Sequence, residues 1–207
     1  MANVICKMIT VLLLTLAICY NAQANDRLNV VVVQKENAVE AKQTQEHGVF
    51  GWTANRKLTW SDFRGGMITS ATDETAAAIC HGFGIQTDSN GGDATHVVIN
   101  VFNAFYPEKS WVRDGEQNTH VLAHEQCHFD ICELYTRILK QRIADAYLTR
   151  TNFNVLIKQI YTEVQAEYVG TQERYEEETN HGLVSVEQQR WQNSVQAQLS
   201  GDQYALR

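Results

Sequence analysis

His120 to Ile131 reads HVLAHEQCHFDI and contains three histidines spaced four residues apart. In an α-helix, residues four positions apart lie on one face, separated by about 40° around the helix axis. His124 and His128 can therefore reach the same metal ion from a single helix. Glu125 follows His124 on nearly the same face, where it can contact a molecule held by that ion. The stretch predicts a helix that carries a metal site.

The spacing His-Glu-x-x-His is typical of catalytic zinc sites. Catalytic zinc has three protein ligands and a position left for water, whose pKa the metal lowers towards neutrality. The glutamate of such a motif takes a proton from this water and passes it to the leaving amine. Apolar residues share the helix face with the two histidines, so the imidazoles are expected to face inward, where they need a metal or hydrogen-bond partners. Histidines without metal, in the core or at the surface, are the alternative interpretation.

A third metal ligand has to come from another part of the chain, because FDICEL after His128 lacks the extended histidine spacing of metzincins. A glutamate on a following helix would give an arrangement like that of gluzincins. Spacing excludes none of four candidates, which are Glu163, Glu167, Glu178 and His181.

Three other polar residues of the helix are weaker candidates for the site. His120 lies one turn before His124 and is expected to bond a backbone or carboxylate group. Asp130 and Glu133 are possible partners that orient an imidazole, as such sites usually require, but both point away from the ligand face.

The N-terminus has the pattern of a secretory signal peptide. MANVICK carries a positive charge, MITVLLLTLAICY is apolar, and NAQA supplies small residues for cleavage after Ala24. The apolar run of roughly a dozen residues is shorter than the ~20 that a membrane-spanning helix needs. Residues 1–24 are predicted to be removed, which leaves 25–207 as one secreted or periplasmic domain without stable membrane insertion. Lipidation of Cys19 is a minor alternative, because Ile18 before it is bulkier than that processing usually accepts.

Charge and cysteine content exclude some partners and cross-links. The formal net charge is −7, and no cluster of lysine or arginine stands out, which argues against nucleic acid or an anionic membrane surface as a partner. Beyond residue 24 the cysteines are Cys80, Cys127 and Cys132, so at most one disulfide can form. Cys127 and Cys132 point to different sides of the predicted helix, and buried free thiols are expected. No residue pattern sets an oligomeric state.

The remaining chain predicts an α+β fold, with a small sheet before the histidine-bearing helix and more helices after it. RLNVVVVQ (27–34), CHGFGIQTD (80–88) and THVVINVFNAFY (95–106) have the composition of strands, with a loop at SNGGD. A second helix is expected from about Phe153 to Arg174, with Asn152 as its N-cap. A third is expected to start near Ser185, which has capping-box spacing to Gln188.

Five stretches, read together, resemble a bacterial family described as predicted secreted zinc-dependent proteases, the domain of unknown function 922. They are LTWSDFRG (58–65), FYPEKSW (105–111), HEQCHFDI (124–131), YEEETNHG (175–182) and EQQRW (187–191), and they span nearly all of the chain after the signal peptide. The resemblance implies a zincin-like fold. The family most often has aspartate after the tyrosine of its second motif, where this chain has Glu176.

The same resemblance implies that Tyr175, Thr179 and His181 belong to the site. On this basis His181 is the expected third zinc ligand, and Tyr175 is expected to donate a hydrogen bond to the oxyanion formed during hydrolysis. In the rival assignment, Glu178 or Glu167 is the ligand and His181 stabilises the oxyanion.

The sequence thus predicts a secreted zinc metallopeptidase that acts on peptides or proteins. His124, His128 and His181 would hold one Zn²⁺ ion, and Glu125 would be the general base. Two alternatives remain open at this point. One is an exported zinc-binding or interaction module without catalysis, and the other is a metal-dependent hydrolase of non-peptide amides, such as cell-wall cross-links.

Overall fold

The computed structural model describes residues 26–35, 48–67, 75–88 and 96–201. The predicted signal peptide and the loop SNGGD lie outside these residues. Within the described part of the chain, no helix has both the length and the apolar character needed to cross a membrane.

The strands form two small sheets. In the three-stranded sheet, the order is β1 (Asn29–Gln34), β4 (His96–Phe105) and β3 (His81–Asp88), with β1 parallel and β3 antiparallel to β4. β2 (Ala77–Ala78) and β5 (Trp111–Val112) pair antiparallel in the second sheet. All three strands predicted from the sequence are present, and the short segment between β2 and β3 carries the chain from one sheet to the other.

Three long helices follow the strands, namely α1 (Thr119–Asp145), α2 (Phe153–Thr179) and α3 (Ser185–Ser200). α1 packs against the three-stranded sheet on one side and against α2 and α3 on the other. It is therefore central in the fold, which explains why polar residues of its middle turns are buried together with Ile131, Leu134 and Leu139. Mixed α and β structure with a small sheet and following helices agrees with the predicted class.

The helix ends differ from the sequence prediction in detail. α2 continues to Thr179, beyond the expected end at Arg174. Asn152 occupies the predicted N-cap position, but its side-chain oxygen accepts a hydrogen bond from the backbone of Thr149 and none from the first turn of α2. Ser185 is the first residue of α3 and not its N-cap, so the expected capping box does not form. The extra turn of α2 carries the residues that complete the site.

Cys80, Cys127 and Cys132 are free thiols, as expected. Cys127 and Cys132 are buried among apolar side chains, and burial raises the pKa of the Cys127 thiol to about 12. These cysteines therefore remain protonated and behave as small core residues.

Candidate metal centre

Two histidines of α1 and one glutamate of α2 bring their ligand atoms together. The Nε2 atoms of His124 and His128 are 3.1 Å apart. The Glu176 carboxylate approaches both, with Oε1 3.0 Å from His128 Nε2 and Oε2 3.5 Å from His124 Nε2. Within the described residues, these three form the one group of histidine, cysteine or acidic side chains spaced to hold a metal ion.

The distances between these ligand atoms fit a metal ion with tetrahedral coordination. Zinc bonds to nitrogen and oxygen of about 2.0–2.1 Å require ligand atoms about 3.3 Å apart. The three observed separations, 3.0, 3.1 and 3.5 Å, lie close to this value. Two imidazoles and one carboxylate are also a donor set typical of catalytic zinc, and they leave a fourth position open.

The charges of the group are suited to a cation. Burial by itself raises the pKa of Glu176, but hydrogen bonds to the two histidines outweigh it and hold that pKa well below its ordinary value. Glu176 is therefore a carboxylate at neutral pH. Burial lowers the pKa of His124, so its imidazole is neutral and has a lone pair for a metal.

Two glutamines contact the backs of the two imidazoles. The Gln172 amide donates from Nε2 to the backbone oxygen of His128 at 3.0 Å, and its Oε1 lies 2.6 Å from His128 Nδ1. The bond from Gln172 Nε2 to the backbone fixes the orientation of the amide, so Gln172 Oε1 faces the imidazole. An oxygen at this distance is an acceptor, and His128 Nδ1 must therefore carry the proton. The lone pair of His128 is then on Nε2, where the metal group lies.

Gln188 of α3 repeats this arrangement at His124. Its Nε2 donates to the backbone oxygen of His120 at 3.1 Å, which leaves Oε1 on the side of His124. His124 Nδ1 and Gln188 Oε1 are both buried and have no hydrogen-bond partner among the described residues. One is a potential donor and the other an acceptor, so a proton on Nδ1 would satisfy both. Metal coordination at Nε2 selects that tautomer.

The turn after α2 approaches His124 closely and depends on glycine. A Cβ at Gly182 would lie 3.1 Å from His124 Nδ1 and 3.0 Å from Gln188 Oε1, and Gly182 has a φ of +83°. The buried Thr179 hydroxyl accepts a hydrogen bond from the Gly182 amide at 3.2 Å and donates to the Tyr175 carbonyl. Thr179 and Gly182 of the second motif thus fix the turn beside the site.

His181 lies outside the group of three. Its imidazole is 77% exposed and contacts Glu176, with Nδ1 2.9 Å from Oε2. Asn180 and His181 both have left-handed backbone conformations at the end of α2, and the His181 side chain is directed to solvent. The structure thus differs from the expected three-histidine set: Glu176 occupies the place predicted for His181.

The other candidate third ligands bond elsewhere. Glu178 accepts hydrogen bonds from Arg190 and from the Trp191 indole. Glu167 pairs with Arg142, and Glu163 accepts from Gln159. None of these carboxylates belongs to the group formed by His124, His128 and Glu176.

The ring of Tyr175 packs against the two imidazoles. It is fully buried, stacks on His124 with ring centroids 4.8 Å apart, and meets His128 edge to face at 4.8 Å. Its hydroxyl is directed to the backbone oxygen of His124 at 3.4 Å. This placement makes the ring a support for the ligands, and it does not favour the expected contact of the hydroxyl with an oxyanion.

Glu125 is buried beside the metal group. The backbone amide of Ile79, in the segment between β2 and β3, hydrogen-bonds to its carboxylate. Burial is the main cause that raises the pKa of Glu125 to about 7, and the neighbouring His128 opposes it. A carboxyl group whose pKa lies near neutrality is suited to accept and return a proton.

The remaining polar residues of α1 have structural partners. His120 Nε2 contacts the backbone oxygen of Gly182 at 2.5 Å, in line with the expected backbone contact. Asp130 accepts from the Trp52 indole and Glu133 from Asn103, so neither orients an imidazole.

Sequence reasoning missed four residues near the site. From the sequence, Glu176 is treated only as the acid of the second motif and Gln188 only as part of a capping box, and neither Gln172 nor His81 is included. Gln172 and Glu176 are four residues apart on the face of α2 that also carries Tyr168 and Tyr175. Extending the predicted helix to Thr179 would have placed both on the buried side.

No protein-family model, curated protein or solved structure matches this chain. The case for a function therefore rests on the residues and geometry of the chain itself.

Changing Gln188 to leucine is expected to lower zinc affinity roughly 10- to 100-fold, because the His124 imidazole loses the acceptor that favours its metal-binding tautomer. A competition titration with a chromogenic chelator measures this change. Gln192→Leu is the matched control, since Gln192 donates to the Ala123 backbone oxygen at 3.1 Å from the same helix without contacting an imidazole. Equal affinities in the two variants would contradict the orienting role of Gln188.

Changing Tyr175 to phenylalanine is expected to leave both zinc affinity and the rate of hydrolysis within about threefold, because the ring remains and the hydroxyl makes only one long hydrogen bond. Steady-state kinetics of the zinc-loaded variant test this expectation. A hundredfold fall in kcat with zinc retained would instead support contact of the hydroxyl with the oxyanion.

Proposed function

We propose that this chain is a zinc-dependent metallopeptidase of zincin-like fold, secreted or periplasmic, that hydrolyses peptides or proteins. The observation that carries the proposal is the group of His124, His128 and Glu176 with the buried carboxyl of Glu125 beside it. The resemblance of five sequence stretches to predicted secreted zinc-dependent proteases agrees with it. Nucleic acid is not a proposed substrate, given the formal net charge of −7.

The ligands and the carboxylate divide the chemistry between them. His124, His128 and Glu176 would hold the ion, and Gln172 with Gln188 would orient the imidazoles. Bound zinc lowers the pKa of a water molecule and polarises a carbonyl group. Glu125 is buried, and its hydrogen bond from the Ile79 amide fixes its position, so it is placed to receive a proton without rearrangement.

Hydrolysis requires Glu125 to move one proton. As the oxygen of the attacking water bonds to the carbonyl carbon, its proton passes to the Glu125 carboxylate. When the carbon–nitrogen bond breaks, the same carboxyl returns a proton to the departing nitrogen. One water is then added across the amide, and Glu125 is again a carboxylate.

The open fourth position favours an enzyme over a structural zinc module. Structural zinc sites are closed by four protein ligands, whereas the group within the described residues supplies three. Hydrolysis of non-peptide amides would use the same ligands and the same proton transfer, so substrate assays separate it from peptide hydrolysis.

Chelation of the metal is expected to abolish hydrolysis of an unfolded protein substrate such as casein, and about one equivalent of zinc is expected to restore it. Metal analysis of the purified protein and a cleavage assay before and after dialysis against chelator provide the measurement. A protein that binds zinc and cleaves no peptide would point to the zinc-binding module or to another amide. A protein that binds no zinc would overturn the proposal.

A further inference from the structure

A fourth histidine lies close to the metal group but does not belong to it. His81 is the first residue of β3, and its ring centroid is 6.3 Å from that of His128. The side chain is half-buried. Ile79, two residues earlier, reaches Glu125 with its backbone amide, so the segment from Ile79 to His81 passes both the general base and a metal ligand.

Tyr168 determines which nitrogen of His81 carries the proton. Its hydroxyl lies 2.9 Å from His81 Nδ1. Among the described residues, this nitrogen is the one partner within hydrogen-bond distance of the hydroxyl. A phenol is a stronger hydrogen-bond donor than acceptor, so the hydroxyl donates its single proton to His81 Nδ1. The thiol of Cys132 nearby is a much weaker acceptor than an imidazole nitrogen.

The proton of the neutral His81 imidazole is then on Nε2. This nitrogen forms no hydrogen bond with any residue in the described part of the chain, in contrast to Nδ1. An N–H donor without a partner therefore lies at the edge of the sheet beside the metal group.

We propose that His81 is a catalytic residue of this site and that its Nε2–H donates a hydrogen bond to the carbonyl oxygen of the bound substrate. The inference rests on the proposed hydrolase function and adds a residue to it. Negative charge develops on the carbonyl oxygen as water attacks, so a fixed neutral donor there stabilises the transition state more than the bound substrate. His81 transfers no proton in this role. Tyr168 acts through His81 as a positioning residue.

The test compares two substitutions of similar size. His81→Leu removes the donor, whereas His81→Gln retains an N–H group at a similar distance from the backbone. With zinc bound in both variants, His81→Leu is expected to lower kcat about 10²-fold with little change in KM. The kcat of His81→Gln is expected to be at least tenfold higher than that of His81→Leu. A His81→Leu kcat within twofold of wild type would overturn the role of His81.

A second measurement does not depend on activity. Nitrogen chemical shifts of the His81 ring, recorded by NMR on the wild-type protein, are expected to report a protonated Nε2 and an unprotonated Nδ1. In Tyr168→Phe the two tautomers are expected to mix, because Nδ1 loses its donor. A wild-type ring protonated at Nδ1 would overturn the proposal even if His81→Leu failed to fold.

Different results would overturn the proposed function and the role of His81. If the zinc-loaded wild type hydrolyses no amide substrate, the proposed function falls, and the role of His81 falls with it. If the wild type hydrolyses and His81→Leu does so equally well, only the role of His81 is lost.

Discussion

Changing Glu176 to glutamine is expected to remove zinc from the protein, whereas His181→Ala is expected to keep it. Glu176 supplies one of three donor atoms, and its loss leaves only the two imidazoles. Substitution of a residue that merely orients a ligand lowers metal affinity by up to roughly 10²-fold, so the loss of Glu176 itself should lower zinc affinity by well over that factor. His181 contacts only the outer side of Glu176 and is largely exposed, so its removal should cost about tenfold or less.

Zinc retained after dialysis and a competition titration measure both variants. Glu177→Gln is a suitable control, because Glu177 is the exposed neighbour of Glu176 and changes the net charge by the same amount as Glu176→Gln. The opposite pattern, with zinc lost in His181→Ala and kept in Glu176→Gln, would restore the three-histidine set that the sequence predicts. It would also mean that the turn after α2 folds back when the metal binds.

Changing Glu125 to glutamine is expected to lower kcat about 10²- to 10⁴-fold while zinc content stays at the wild-type level. Glutamine keeps the shape of the side chain but cannot take a proton from water. Glu125 is not one of the three metal donors, so the ion should remain bound. Single-turnover hydrolysis of a fluorogenic peptide, together with metal analysis of the same sample, measures both quantities.

The Glu125→Gln variant shows whether Glu125 transfers a proton or instead helps to bind the metal ion. Glu177→Gln again serves as control and should hydrolyse at the wild-type rate. If Glu125→Gln kept both its zinc and its activity, another group would have to move the proton. If it lost zinc, Glu125 would act in binding the ion, and the catalytic role assigned to it here would be wrong.

The local sequence was sufficient for those parts of the site that lie on one element. A spacing of four residues puts His124 and His128 on one helix face whatever the rest of the chain does, and Glu125 follows from the same geometry. The three predicted strands could likewise be recognised from their β-branched and aromatic residues. These predictions depend on periodicity along the chain, which a sequence displays directly.

The third donor could not be obtained in this way, because it depends on how α2 lies against α1. The sequence predicts which face of a helix is buried. It does not predict how far α2 is shifted along its axis relative to α1, which is set by packing around Tyr175 and Thr179. One further turn of α2 brings Glu176 to the histidines, and the left-handed turn that follows leaves His181 outside. Gln188 and His81 come from α3 and β3, whose approach to α1 likewise exists only once the core has packed. The sequence by itself thus determined the helix that carries the two histidines, while tertiary packing decided which residues complete the candidate site around it.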